Sequence, residues 1–138
     1  DTFACLAFHV EHCQNVRAFK AAIGERHGMA SMVDDSKRVG NTGARYLGDG
    51  EDFRVLRLDD LDIEDLDFLK LDVEGYELFA LRGAERTLKL CRPAVCIEEK
   101  RFGGRYGVEN WAASAFLRSL GAREIEAVRN DHIFVFDN

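Results

Sequence analysis

The stretch from Leu66 to Glu77, LDFLKLDVEGYE, constrains the fold more than any other part of the chain. Its largely apolar run, Phe68 to Val73, gives way to two carboxylates, Asp72 and Glu74, turns at Gly75 and enters an amphipathic segment. Nearly continuous apolar character is the pattern of a strand covered on both faces, as in the parallel sheets of α/β proteins. Ligands of such sheets sit just outside the carboxyl ends of the strands. Asp72 and Glu74 therefore stand at a candidate binding edge.

The following residues repeat the rhythm. Tyr76 to Leu90 predicts one helix, with Leu78, Leu81, Ala84 and Leu88 on one stripe and Arg82, Glu85, Arg86 and Lys89 on the other. Glu85 and Lys89 have the spacing of a favourable i,i+4 pair. Arg92-Pro93 stops the helix, and Ala94 to Ile97 predicts a second buried strand ending at Glu98 and Glu99. A strand–helix–strand unit is a right-handed parallel crossover in nearly all cases. Its strands would lie about 4.8 Å apart, so Glu74 and one of Glu98 or Glu99 should open into a shared crevice.

The flanking segments are read in the same way. Asn110 to Leu120 predicts a helix with Ala112, Ala115, Phe116 and Leu120 inward and Gly121 as its stop. Arg123 to Val128 and His132 to Phe136 predict an antiparallel hairpin around Arg129, Asn130 and Asp131. Upstream, Thr2 to Cys13 reads as a helix and Val16 to Ile23 as a strand ending at Gly24. Gly28, Gly40, Gly43, Gly48 and Gly50 punctuate the segments Met29 to Val33 and Phe53 to Leu58, which suggests hairpins. Gly40 to Gly43 and Gly48 to Gly50 read as turns, and Asp59 to Asp65 as a solvated acidic connector.

With 138 residues, the chain is expected to form a single domain over residues 1–138 that buries roughly two-thirds of its unfolded surface. No apolar run approaches the roughly 20 residues of a membrane span. A net charge of −6 argues against a nucleic-acid backbone as the main partner. The four cysteines form no C-x-x-C pair, the usage of a cytoplasmic protein with reduced thiols. The charge says nothing about small ligands.

Carboxylates at the strand ends suit a cation, a sulfonium or the hydroxyl groups of a ligand. In the structural alternative, Asp72, Glu74 and Glu77 merely favour the positive end of the following helix. Lys70, the one charge inside its strand, is expected to pair with one of these acids. Cys5, His9, His12 and Cys13 share a helix face and are ligand types that zinc accepts. A single helix rarely closes a tetrahedral site, so a half-buried face is expected there and no metal. His27 and His132 are expected at the surface or in loops. Gly103-Gly104, beside Arg101, Arg105 and Tyr106, reads as a loop that covers a ligand.

Lys70, Leu71, Asp72, Val73, Glu74, Gly75, Tyr76 and Glu77, followed by Leu81, Arg82, Gly83, Ala84, Leu88, Arg92, Pro93 and Glu98, resemble the core signature of the FkbM-family methyltransferases. Ala22 to Glu25 with Gly28 is similar to the family's strand end before its hairpin, and Leu58 to Leu61 to its acidic lead-in. Residues 10–136 would correspond to the family's C-terminal two-thirds. The resemblance implies an α/β, Rossmann-like class I methyltransferase fold. It would have three layers, a mostly parallel sheet and an antiparallel C-terminal hairpin. It also implies S-adenosylmethionine as cofactor and an oxygen of a small molecule or sugar as acceptor. Asp72 and Glu74 would lie beside the donor, the backbone around Ala22 near its adenine, and Glu98 or Asp72 would act as catalytic base.

The family's glycine-rich loop, its first strand and the strand with the ribose-binding acid have no counterpart in these residues. The fold is thus expected to be N-terminally incomplete and to bind the donor weakly or not at all. The Val16 to Ile23 and Phe68 to Val73 strands would then pair directly, or a further copy of the chain would cover the open edge. Two other readings follow from the same residues. One is a non-catalytic remnant serving as an oligomerisation or binding module. The other is a magnesium-dependent phosphoryl enzyme, which has no phosphate-holding loop and ranks last.

Overall fold

The computed structural model describes residues 2–34 and 45–137. In chain order these form α1 (Thr2–Val10), β1 (Ala21–Ile23), β2 (Gly28–Asp34), β3 (Arg45–Leu56) and a 3₁₀ turn (Leu58–Leu61). There follow β4 (Phe68–Leu71), α2 (Glu77–Arg82), α3 (Glu85–Cys91), β5 (Ala94–Glu98) and a 3₁₀ turn (Gly103–Tyr106). The chain closes with α4 (Ala112–Ser119), β6 (Ala122–Val128) and β7 (Asp131–Phe136). The predicted turn at Gly40 to Gly43 lies outside the described residues.

The apolar run beginning at Phe68 does pair in parallel with the one at Ala94, with Phe68 opposite Ala94 and Leu71 opposite Ile97. The C-terminal hairpin forms and joins β5 through β7, giving a four-stranded sheet in the order β4-β5-β7-β6. One face of this sheet is the core. Leu81, Leu88, Val95, Ile97, Leu117 and Phe134 are fully excluded from water there, each contributing about 1.5–3 kcal/mol by burial. The other face carries Phe68, 56% exposed, and the exposed Lys70. Among the described residues β4 is therefore covered on one face only, and the expected third layer is not seen.

A second sheet, ordered β1-β3-β2, holds the predicted hairpin of β2 and β3. Gly48 to Gly50 makes no turn; it lies within β3, where the register passes from Phe53 opposite Ala30 to Gly48 opposite Ser31. β1 pairs in parallel with β3. It does not pair with β4: each is an edge strand of its own sheet. The architecture is thus a mixed α/β fold of two sheets and four helices. It is not the mostly parallel sheet that the resemblance implies, since among the described residues parallel pairing is confined to β1 with β3 and β4 with β5.

The helix expected over Tyr76 to Leu90 is split at Gly83. A Cβ on Gly83 would lie 1.9 Å from the carbonyl oxygen of Gly24, so only glycine lets the second sheet approach so closely. Asp59 replaces the helical hydrogen bonds lost at the break. Its amide donates to the Gly83 carbonyl at 2.9 Å. Its carboxylate accepts from the amides of Arg86 at 3.2 Å and Thr87 at 2.9 Å, and from the Thr87 hydroxyl at 3.0 Å. The acidic connector is accordingly not solvated throughout, for Asp59 is 4% exposed.

The helix near the C-terminus also differs in phase: Ala113, Ser114 and Leu117 are buried and Ala115 is exposed. Glu99, 7% exposed, accepts from the amides of Ala113 and Ser114 and from the Ser114 hydroxyl. Capping of the orphan amides draws that side of α4 inward.

Asp59→Ala should lower stability by about 2 kcal/mol, and Gly83→Ala by about 1–3 kcal/mol through overpacking. Chemical denaturation checks both. A change below about 0.5 kcal/mol in either variant contradicts this account of the helix break.

Candidate active site

Between the edge strand β1 and the carboxyl end of β4 lies a cleft of about 1030 Å³. Ala22 and Ile23 line one side of it, Leu47 and Phe53 come from β3, and Asp72 and Glu74 close the other side. Three of the residues singled out from the sequence, Ala22, Asp72 and Glu74, therefore line one cavity, Ala22 across from the two acids. Glu74 has φ +52°, a left-handed backbone that costs about 1 kcal/mol in a non-glycine residue. Gly75 follows at φ +103°, and a Cβ there would lie 2.6 Å from the carbonyl carbon of Phe102. The turn is held against the loop after β5.

The residue that organises this edge is Lys100, which the sequence reading passed over. Its Nζ lies 2.9 Å from Glu98 Oε2, 3.2 Å from Glu74 Oε1 and 3.6 Å from Asp72 Oδ1. The lysine side chain is 21% exposed. Burial opposes its charge, yet hydrogen bonds to Glu98 and Glu74 and the neighbouring charges outweigh it, so the ammonium is held well above its ordinary value. Glu98 is raised, first by burial and then by a hydrogen bond shared with Asp72, against the lowering effect of Lys100. Glu98 does not line the cleft; it meets Asp72 and Glu74 across the ammonium.

A signal for Lys100 exists in the sequence. Residues two apart on an extended chain share a face. Glu98 and Lys100 share one in this way, while Glu99 points to α4.

Lys70 does pair with an acid, but the partner is Asp131 at 2.5 Å, with Cys96 Sγ at 3.5 Å. Its ammonium is raised chiefly by the Asp131 hydrogen bond. On α1 His9 Nδ1 contacts the Cys5 carbonyl, and beyond its end Cys13 Sγ meets the His9 carbonyl; Cys5, His9, His12 and Cys13 are all exposed and form no half-buried face. Among the described residues no group of three or more His, Cys, Asp or Glu is placed to hold a metal ion. All four cysteines are free. His27 is exposed, whereas His132 lies half-buried in β7; their carboxylate partners are Asp60 and Glu124, each at 2.7 Å. The Gly103-Gly104 loop forms a 3₁₀ turn whose Tyr106 hydroxyl donates to the Leu47 carbonyl at 3.0 Å. Nearby, the Arg101 guanidinium lies 5.3 Å from the centre of the Trp111 ring, and His132 packs 5.2 Å from the same ring.

The Methyltransferase FkbM domain family matches residues 4–126. The chain belongs to this family. A crystal structure of methyltransferase FkbM from Methylobacillus flagellatus KT superposes with a TM-score of 0.56 at 19% identity, over 99% of this chain. That likeness supports the fold. This chain spans 33% of the length of that protein. No curated protein matches the chain. No helix among the described residues is long and apolar enough to cross a membrane.

Within the FkbM signature, Glu77 plays a structural part beneath the carboxylate edge. It is 2% exposed, and its Oε1 accepts from the amides of Gly75 at 3.1 Å and Val73 at 3.4 Å. Burial pushes its carboxyl up, and the backbone hydrogen bonds offset this only in part. A carboxyl raised in the folded state contributes stability that is fully present below the unfolded value, about 4.3. That stability is lost as pH rises through the folded value. In Glu77→Gln a neutral carbonyl oxygen keeps both hydrogen bonds. Urea unfolding at about pH 4 and about pH 8 should therefore show the variant gaining on the parent chain at the higher pH. A difference independent of pH would contradict a raised Glu77.

Proposed function

We propose that this chain forms one wall of an S-adenosylmethionine-dependent methyltransferase site that methylates an oxygen of a small molecule or sugar. Family membership supplies the reaction class. The observation that carries the reading is the cleft itself, with Ala22, Asp72 and Glu74 on its walls and Glu98 joined to the acids across Lys100. Asp72 and Glu74 face the sulfonium, which carboxylates stabilise without attacking it. The backbone at Ala22 lies toward the adenine.

Glu98 is suited to the acceptor side, because a carboxylate shifted toward neutrality is a better general base. When bound, S-adenosylmethionine would supply the methyl group and keep the bonding pair as a neutral thioether, and Glu98 or Asp72 would take the proton of the acceptor hydroxyl. In-line positioning supplies most of the rate, and the fixed strand ends provide it. The uncovered sheet face and the edges of β1 and β4 suit the remaining layer and strands of a Rossmann-like, three-layer class I fold. The reaction is assigned to the cytoplasm, in keeping with the free thiols.

A second reading is favoured by those same open edges: a non-catalytic module whose edge strands pair with another copy of the chain. Calorimetric titration separates the two. S-adenosylmethionine is expected to bind with a Kd of roughly 1 mM, about −4 kcal/mol, and Asp72→Ala to abolish the heat. No heat at that concentration, together with a concentration-dependent dimer in sedimentation, would favour the module.

A further inference from the structure

The acids at the cleft converge on a positive charge that the chain itself supplies. Asp72, Glu74 and Glu98 set three carboxylates against the one ammonium of Lys100, leaving a net charge of −2 when all are ionised. A sulfonium carries three carbon substituents and no hydrogen to donate. It cannot take over these hydrogen bonds, so a sulfonium in the cleft meets the carboxylates with Lys100 still in place.

Three carboxylates gathered around one point raise each other's affinity for protons. Without Lys100, a proton would occupy part of its role, and that proton would come and go with pH. The charged groups on the opposite wall are Lys20 and Arg45.

We propose that Lys100 is a positioning residue that fixes the charge of this site, so that the cleft separates a cationic methyl donor from its neutral thioether product equally well across the neutral pH range. The inference rests on the methyltransferase reading, since the thioether is the product of that reaction. When the methyl carbon leaves sulfur, the ligand loses its positive charge and the attraction to the carboxylates ends. Release of product is then driven by the same charge that held the donor. A site whose ionisation followed pH would not keep this difference constant.

The test compares the parent chain with Lys100→Met and Lys100→Arg. Affinities for S-adenosylmethionine and S-adenosylhomocysteine are measured by calorimetry between about pH 6 and about pH 9. The ratio of the two is expected to stay within about twofold in the parent and in Lys100→Arg. In Lys100→Met it should rise by about tenfold across that range as the replacement proton leaves. A flat ratio in Lys100→Met overturns the proposal.

A measurement without ligand stands beside it. Carbon-13 NMR titration of the side-chain carboxyls should place one of the three acids higher in Lys100→Met than the already raised Glu98 of the parent, with Lys100→Arg restoring the parent pattern. If the parent binds no donor, the methyltransferase reading fails, and the carboxyl titration alone decides whether Lys100 fixes the charge. If the carboxyls titrate alike in the parent and in Lys100→Met, the role of Lys100 fails whatever the donor does.

Discussion

Two parallel strands can offer a common edge to a ligand only if their ends stay together, and here one ammonium holds them. Lys100 comes from the loop after β5 and reaches Glu98 at the end of that strand, together with Asp72 and Glu74 beyond β4. The left-handed turn at Glu74 and the close packing of Gly75 on Phe102 follow from the same requirement. Breaking a largely buried pair costs about 3–5 kcal/mol when one charge is left uncompensated. Such a network is therefore worth more as geometry than as stability. It makes a negatively charged rim whose shape does not wander.

Much of this rim could be read from residue order. The apolar runs at Phe68 and Ala94, the amphipathic stripe between them and the C-terminal hairpin all formed, because local pattern and tertiary burial agree there. Parallel pairing brought Glu74 toward one of Glu98 or Glu99, and Lys100 gathers Asp72, Glu74 and Glu98 at one point. What escaped were contacts made across long separations in sequence. Asp59 caps a helix begun some twenty-five residues later, Glu99 caps α4, and Gly83 yields to a carbonyl from the other sheet. Helical periodicity cannot register a break imposed by a neighbouring backbone. Of the two arrangements the sequence left open for β1 and β4, the structure shows them as separate sheet edges and not as a direct pair.

The α2 segment and the turn at Tyr106 pack on one another and against the β1-β3-β2 sheet through aromatic and backbone contacts. Tyr76 stacks on Phe79 at 4.7 Å, and Tyr106 meets Tyr76 edge-on at 5.0 Å. Burial pushes the Tyr106 hydroxyl up to about 12, so it remains a donor to the Leu47 carbonyl at any physiological pH. Arg82 adds an ion pair to Glu25 at 3.3 Å. The breadth of the cleft thus depends on small, specific contacts around Gly24, Gly83 and the tyrosines.

Trp111 is the single tryptophan of the chain and sits beside the Arg101 guanidinium, one residue along from the central lysine. Its indole emission therefore comes from one place only. Any rearrangement of the loop that carries Lys100 changes the distance of a cation from that ring, and with it the colour and brightness of the light. The chain contains its own optical gauge for events at the rim, with no label required.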